Sequence, residues 1–415
     1  MRRNLLETSI RWWQPRYTVL SLIWLVYGCF YLNRLNFAPV IPLIMEDLKL
    51  SHTQVGLIST FFFSFHAAAQ FPAGYLSDIF GPKKIITIGG VISALANFFF
   101  SAGSSLFYLT GFQSLNGLGQ GGGFGPSVKL VSNWFPETER GRALGIHATS
   151  ISFFTIIVYA LAGYLGKMFG WRAPFWIFPI ILLSVLFIYR VVVADHPDGN
   201  SVQSFPTRPP ETAEKSPGNR NRLIAILSNR DIRMACLGFF CLLYINYGIL
   251  IWLPAYLYET YGLSVVKASL LAGLYPMAGL VAGPLGGYLS DMAFGGRRKP
   301  LLLIGLSSIL LSTIFLASAD RLEWAMILIA SVGFFVQIMA PLFMALELDL
   351  LPPKLSGTGA GFLQTGGQLG SMCAIFFSGL LVDVFGSYNP VFLVLGIFAA
   401  AGIAAILFVC ESKSC

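Results

Sequence analysis

The chain has 415 residues, 55% of them apolar and only 11% charged, with a formal net charge of +8. A soluble protein carries about 25% charged residues, so this composition excludes a water-soluble globule, and its apolar runs reach the about 20 residues a helix needs to cross a bilayer. The positive excess falls where membrane topology would put it, which argues against nucleic acid as a partner.

From the N-terminus, Arg2, Arg3, the pair Trp12-Trp13 and Arg16 precede the first long apolar run. No small-residue cleavage site stands before that run, so a secretory signal peptide is not expected, and the tryptophans suit an interfacial anchor. Apolar segments then fall at roughly 18–45, 53–79, 84–103, 105–135, 141–168 and 172–193. After a break they resume at roughly 233–260, 266–293, 300–318, 322–350, 356–384 and 388–410. Backbone groups in lipid have to be satisfied within their own segment, so each is predicted to be a helix. The prediction is an all-α membrane protein of twelve transmembrane helices in two pseudo-symmetric six-helix bundles, 1–193 and 233–415. Between them lies a flexible polar linker over 194–232, rich in Pro, Ser, Gly and charge.

With the N-terminus in the cytoplasm, the inner loops carry Arg2, Arg3, Arg11, Arg16, Lys83, Lys84, Arg140, Arg142, Arg297, Arg298, Lys299, Lys354, Lys413 and the linker basics. The outer loops carry only Lys49, Lys167, Arg172, Lys267 and Arg321. This positive-inside asymmetry predicts a multi-pass protein of the cytoplasmic (inner) membrane with both termini and the linker in the cytoplasm. The six cysteines, Cys29, Cys236, Cys241, Cys373, Cys410 and Cys415, show neither metal-ligand spacing nor a disulfide framework. No metal and no cofactor are expected.

The halves are internally related. Gly74-Tyr75-Leu76-Ser77-Asp78 recurs as Gly287-Tyr288-Leu289-Ser290-Asp291, and at the same offset of 213 Tyr31-Leu32-Asn33 recurs as Tyr244-Ile245-Asn246. Two matches at one offset point to duplication, and parallel repeats are typical of transporters that rock two bundles about a central site.

Helix 2 runs into GYLSDIFGPKK (Gly74 to Lys84), and GGYLSDMAFGGRRK (Gly286 to Lys299) repeats it. Both stretches resemble the loop signature of the major facilitator superfamily. Each aspartate ends its helix, where the macrodipole disfavours an anion, so each needs a positive partner. By resemblance, Asp78 with Arg140 or Arg142 (in ERGRALG) would latch one conformation, with Asp291 as the counterpart. The alternative is a solvated loop charge that serves topology.

More specifically, the chain resembles the organophosphate:phosphate antiporters and their sugar-phosphate and glycerol-phosphate relatives. Three stretches carry this: Tyr31-Leu32-Asn33-Arg34-Leu35-Asn36-Phe37, then Tyr247-Gly248-Ile249-Leu250-Ile251-Trp252-Leu253-Pro254, and Ala345 to Leu348 continuing to Gly357-Thr358-Gly359-Ala360-Gly361-Phe362. Arg34 lies near the middle of helix 1, where an arginine costs at least about 2.5–3.5 kcal/mol on insertion scales. Such a residue faces a watery cavity or a partner. The resemblance makes it the ligand of the substrate's anionic group, in the bidentate geometry guanidinium offers. A buried Arg bonded to helix carbonyls, or one that snorkels, is the competing account.

The departures are informative. Leu35 stands where that branch has Lys, Asn246 where its second arginine falls, Gln70 at a helix 2 lysine and Ile151 at a helix 5 histidine. The related organic anion:cation symporters carry Arg and Glu on helix 4, where this chain has Gln113 and Gln120. One guanidinium among amides and tyrosines suits a monoanion, a carboxylate or a zwitterion better than a phosphate dianion. No buried carboxylate remains in the first half as a proton relay. Asn33, Asn36, His66, Gln113, Gln120, Asn246, Tyr275, Gln337 and Gln368 lie near the expected midplane. Each alone is more often interhelical glue than a ligand, and His66 and His147 read as satisfied packing histidines. The run Gly117 to Gly125 lacks the strand–helix context and Lys-Ser/Thr ending of a phosphate loop, so close helix packing explains it.

No Walker motif, catalytic dyad or metal cluster is seen, so an enzyme is not expected. The sequence predicts a secondary transporter of a small organic anion, a carboxylate or phosphorylated metabolite, working by alternating access. Arg34, Asn33, Gln120, Asn246, Tyr247, Tyr275, Gln337 and Gln368 are its candidate binding residues. Expected partners are the anion, a coupling ion or counter-substrate, and the lipid bilayer, with the protein a monomer. Two alternatives stay open: a transporter-like sensor of a sugar phosphate, and an exporter of an amphipath or lipid.

Overall fold

Backbone polar groups that meet lipid close their hydrogen bonds locally, and the computed structural model of the chain is correspondingly helical throughout. It describes residues 15–197, 226–352 and 355–411, so most of the predicted linker lies outside the described residues. Among the described residues, fifteen α-helices make twelve spans. The first is α1 (Pro15–Leu35), a 3₁₀ turn (Ala38–Val40) and α2 (Ile41–Leu48). Next come α3 (His52–Phe80), α4 (Pro82–Phe100), the pair α5 (Leu106–Gly121) and α6 (Phe124–Trp134), α7 (Glu137–Phe169) and α8 (Pro174–Val192). The remainder are α9 (Arg230–Tyr261), the pair α10 (Val265–Ala272) and α11 (Leu274–Ala293), α12 (Lys299–Leu316), α13 (Leu322–Leu350), α14 (Ser356–Phe385) and α15 (Asn389–Leu407).

The twelve predicted segments are found, but three are interrupted. Proline explains each break. Pro126 has no N–H for the carbonyl of Gly122, and Pro276 none for that of Ala272. At the first break Gly122 and Gly123 instead donate to carbonyls three residues back, both at 3.1 Å, and at the second Gly273 does so to Leu270, also at 3.1 Å. These are 3₁₀ bonds, which tighten the chain where the α pattern fails. Pro39 and Pro42 accompany the break between α1 and α2. Helix starts follow sequence chemistry: Ser51 and Gln54 form a reciprocal capping box on α3, and Ser105, Asn229 and Ser264 cap α5, α9 and α10.

Helices α1 to α8 pack chiefly on one another, as do α9 to α15. Two main seams join the sets, α3 against α14 and α7 against α10 and α11, and the 3₁₀ turn and α2 of the first span also meet α9. Under the internal repeat these seams are equivalents of each other, since helix 2 maps to helix 8 and helix 5 to helix 11. The outward surface is apolar, with Phe107, Phe187, Val191 and Ile397 each at least 65% exposed, as a lipid-facing surface requires.

The glycine run packs α5 as the sequence predicts. A Cβ at Gly117 would sit 2.2 Å from the Phe62 carbonyl oxygen, and one at Gly119 would sit 2.5 Å from the Ser93 nitrogen. Backbone lies against backbone at both points, leaving no side chain to yield. Gly117→Ala should therefore cost about 1–3 kcal/mol of overpacking, read as a lower unfolding midpoint in detergent. Gly125→Ala, where a Cβ would meet nothing within 4 Å, should leave the midpoint unchanged.

Candidate functional site

On α1, Tyr27, Tyr31 and Arg34 fall at helical spacings of four and three, which aligns them on one face. That face turns into the bundle, and all three side chains are buried. The Arg34 guanidinium meets three helices. Its Nε donates to Gln120 Oε1 of α5 at 3.2 Å, its Nη1 to the Tyr31 hydroxyl at 3.1 Å, and its Nη2 lies 3.1 Å from His66 Nε2 of α3. The guanidinium carbon also stands 4.5 Å from the Tyr31 ring centroid, a cation–π arrangement. Tyr247 of α9 reaches Arg34 from the other set of helices and packs edge-on against Phe63, with ring centroids 4.7 Å apart. Among the described residues no carboxylate pairs with Arg34.

Gln120 cannot turn its amide over. Its Nε2 donates to the Phe30 carbonyl at 2.9 Å and to Ser93 Oγ at 3.0 Å, which leaves only the oxygen for Arg34. Ser93 Oγ donates in turn to Asn116 Oδ1 at 2.7 Å, and Asn116 donates to the Asn33 carbonyl at 3.0 Å and to Gln113 Oε1 at 3.1 Å. This buried chain ties α1, α4 and α5 together and aims one neutral acceptor at the cation.

Of the eight binding residues expected from sequence, Arg34, Gln120 and Tyr247 come together. Asn246 and Tyr275 bond each other at 2.9 Å, one position along α9 from Tyr247. Asn33 points away from Arg34, donating to the Cys29 and Phe178 carbonyls at 3.0 and 3.3 Å, so it fastens α1 to α8. Gln337 lies against Gly279. Gln368 is buried with its Oε1 unpartnered, and neither residue is bonded to Arg34. Two members of the cluster, Tyr31 and His66, were outside the expected set. Tyr31 was detectable, since it stands one helical turn before Arg34. The sequence reads His66 as a satisfied packing histidine, whereas its Nδ1 is buried without a partner.

The gating expectation needs a correction. Asp78 pairs with Lys129 of α6 at 2.6 Å, and the same ammonium donates to the Ser77 carbonyl at 2.9 Å. Arg140 instead donates to the Ser132 carbonyl at 3.1 Å, and Arg142 is exposed. Lys129 wins because α6 packs directly on α3, while Arg140 folds back over the end of α6. Asp291 ends α11, and its side chain is outside the described residues.

A cluster that the sequence did not predict sits at the other end, across the α3–α14 seam. Asp383 accepts from the His52 backbone at 3.0 Å, from the Thr53 backbone at 2.7 Å and from Thr53 Oγ1 at 2.6 Å. The His52 ring bridges Asp383 at 2.8 Å and Glu259 of α9 at 3.0 Å. Among the described residues, the ion pairs that cross between the two sets of helices are these two. His52→Ala and Asp383→Ala should each destabilise the protein in detergent. The double variant should lose less than the sum, with a coupling of about 0.5–3 kcal/mol; strictly additive losses would show that the bridge holds nothing.

The comparisons with known proteins agree with this architecture. The sequence model described as Major Facilitator Superfamily matches residues 23–372 and 236–414. The chain is 29% identical over 410 residues to the probable sulfoacetate transporter SauU of Cupriavidus necator, covering 95% of this chain and 94% of that one. It is 27% identical over 430 residues to the probable galactarate/D-glucarate transporter GudP of Bacillus subtilis, covering 97% and 92%. Among solved structures, a bacterial homolog of the human lysosomal transporter Spinster aligns with a TM-score of 0.77 at 18% identity over 95% of each chain, a likeness of fold.

Proposed function

The chain belongs to the Major Facilitator Superfamily and is a multi-pass membrane transporter rather than an enzyme, and from that premise we propose that it carries a small organic anion whose carboxylate or equivalent acidic group binds Arg34. The observation that carries this reading is a buried guanidinium without a carboxylate, oriented by a locked amide oxygen. A charge in that setting is costly unless something neutralises it. Neutral acceptors hold it in place, while the anion supplies the missing charge in a bidentate contact. The names of the relatives, a sulfonated acid and sugar diacids, support the same class of cargo.

Binding serves transport if the site opens to one face at a time. The cluster at His52, Asp383 and Glu259 closes one end between the two sets of helices. Breaking it while the opposite ends of α3 and α11 approach would expose the site to the other face, with Asp78 and Asp291 at that gate. The charge asymmetry assigns the His52 end to the outside of the inner membrane and both termini to the cytoplasm. The cargo moves with a coupling ion or counter-substrate, and one chain suffices.

Ligand-dependent thermal stabilisation tests the reading. At one hundred times the dissociation constant a bound anion adds about 2.7 kcal/mol to the folded state. Sulfoacetate, D-glucarate or another organic acid should raise the midpoint of the wild type. Arg34→Gln should abolish that shift. Gln120→Glu should abolish it too, because it sets a carboxylate beside Arg34 Nε, the atom now bonded at 3.2 Å. Equal responses in all three proteins would overturn the site. An amphipath that stabilises wild type and Arg34→Gln alike would favour an exporter, and binding without solute movement in proteoliposomes a sensor.

A further inference from the structure

His66 stands beside the one buried cation of this cluster, and the hydrogen-bond chemistry fixes its state. A guanidinium only donates, so at 3.1 Å from Arg34 Nη2 the imidazole Nε2 is the acceptor and carries no proton. Gln70 Nε2, 3.4 Å away, faces the same nitrogen with a donor of its own. The ring is therefore neutral, with its proton on Nδ1. That Nδ1 is buried without a partner in a side chain only 3% exposed. Phe62 lies nearly parallel to the ring, with planes 8° apart and centroids separated by 6.1 Å, which fixes its orientation without satisfying it.

No acid reaches His66 from any neighbouring helix among the described residues. From α1 it meets Arg34 and, through Arg34, the Tyr31 phenol; from α5 it meets the backbone at Gly117 and, through Arg34, the Gln120 amide. From α9, Tyr247 approaches through Phe63. The charged residues of α3 and its other neighbours sit at the helix ends. Asp78, paired with Lys129, is twelve residues away along α3, about 18 Å at 1.5 Å per residue, and Lys83 and Lys84 of α4 lie beyond that end. Asp383 of α14 joins Thr53, about 20 Å in the other direction, where Glu46 and Asp47 of α2 also lie.

We propose that His66 is the second, switchable positive charge of the substrate site, and that a dianionic substrate binds together with one proton taken up there. This rests on the Arg34 reading and names its substrate class more closely. When the first anionic group engages Arg34, Nη2–H turns from His66 to the ligand, and the Gln70 amide, the other donor facing Nε2 at 3.4 Å, turns its oxygen to that nitrogen. A proton from solvent then forms the Nε2–H bond. The imidazolium presents donors at both nitrogens, and the second anionic group of the substrate accepts from it. The site changes from one positive charge to two as two negative charges arrive, so a dianion is matched, while a monoanion needs only Arg34 and leaves His66 neutral.

The test compares D-glucarate and sulfoacetate, both dianions near neutral pH, with D-gluconate, which carries one carboxylate, on the purified full chain. A pH indicator in weak buffer should register one proton taken up per dianion bound and none per gluconate. Dianion affinity should weaken about tenfold per pH unit on the alkaline side, as one linked proton requires. His66→Gln should remove both the proton uptake and the pH dependence and weaken the dianions at least about tenfold near pH 6. Gluconate should lose less affinity than the dianions and take up no proton, and an unchanged unfolding midpoint reports a folded protein; His66→Asn provides a second variant should that one misfold. Dianion binding that depends on Arg34 but takes up no proton, or takes it up equally in His66→Gln, overturns the role of His66 and leaves the anion site standing. If no anion depends on Arg34, the site itself fails and His66 with it.

Discussion

Arg34 holds a positive charge inside the helix bundle and is met there by an amide oxygen, a phenol and an imidazole instead of a carboxylate. Such partners fix a guanidinium in space but leave its charge uncompensated, and in a low-dielectric interior that charge is a standing demand. Much of the surrounding order serves to hold it. The ladder from Gln120 through Ser93 to Asn116 converts the packing of α5 on α4 into the direction of a single acceptor. The glycines of α5 permit its close approach to α3 and α4. A carboxylate at the same point would neutralise the site and leave it indifferent to anions.

The spans, the duplication and the unusual placement of Arg34 were legible in the sequence because each is written locally. Long apolar runs are unambiguous in lipid, a repeated pentapeptide needs no coordinates, and an arginine in mid-membrane stands out by its cost alone. The breaks at Gly123 and Gly273 were less visible, since glycine and proline are common in membrane helices and do not always interrupt them. What the sequence hid were relations across helices. His66 was discounted because nothing local says that its ring will abut a guanidinium on another span. Lys129 was passed over for Arg140 since both are basic and only the packing of α6 on α3 separates them. The bridge from His52 to Asp383 joins positions 331 residues apart, a distance no local pattern spans.

Small residues shape the seam between α3 and α14. Along α3 and α14 the backbones approach closely: a Cβ on Gly56 would lie 3.0 Å from the Ile375 carbonyl oxygen and one on Gly379 2.5 Å from that of His52. Small residues here let the two sets of helices touch through main chain, while the polar bridge gathers at the helix ends. Contacts of that kind separate without leaving a deep apolar surface exposed, in contrast to an interlocked core. The proposed alternating access requires an interface that opens repeatedly, and such elements suit it.

Arg34, Tyr31, His66 and Gln120 all belong to the first set of helices, and among the described residues Tyr247 alone comes to the guanidinium from the second. The proposed recognition apparatus is thus lopsided: one side grips, and the other touches it with a single phenol. A ligand shifts a conformational balance only by the difference in its affinity for the two states. Whatever motion slides the two sets past each other leaves the grip unaltered, so the difference between states resides in what α9 brings to the cargo or withdraws from it. In the proposed transport cycle Tyr247 is then less a clamp than an index of position, by which a bound molecule would sense which way the protein faces.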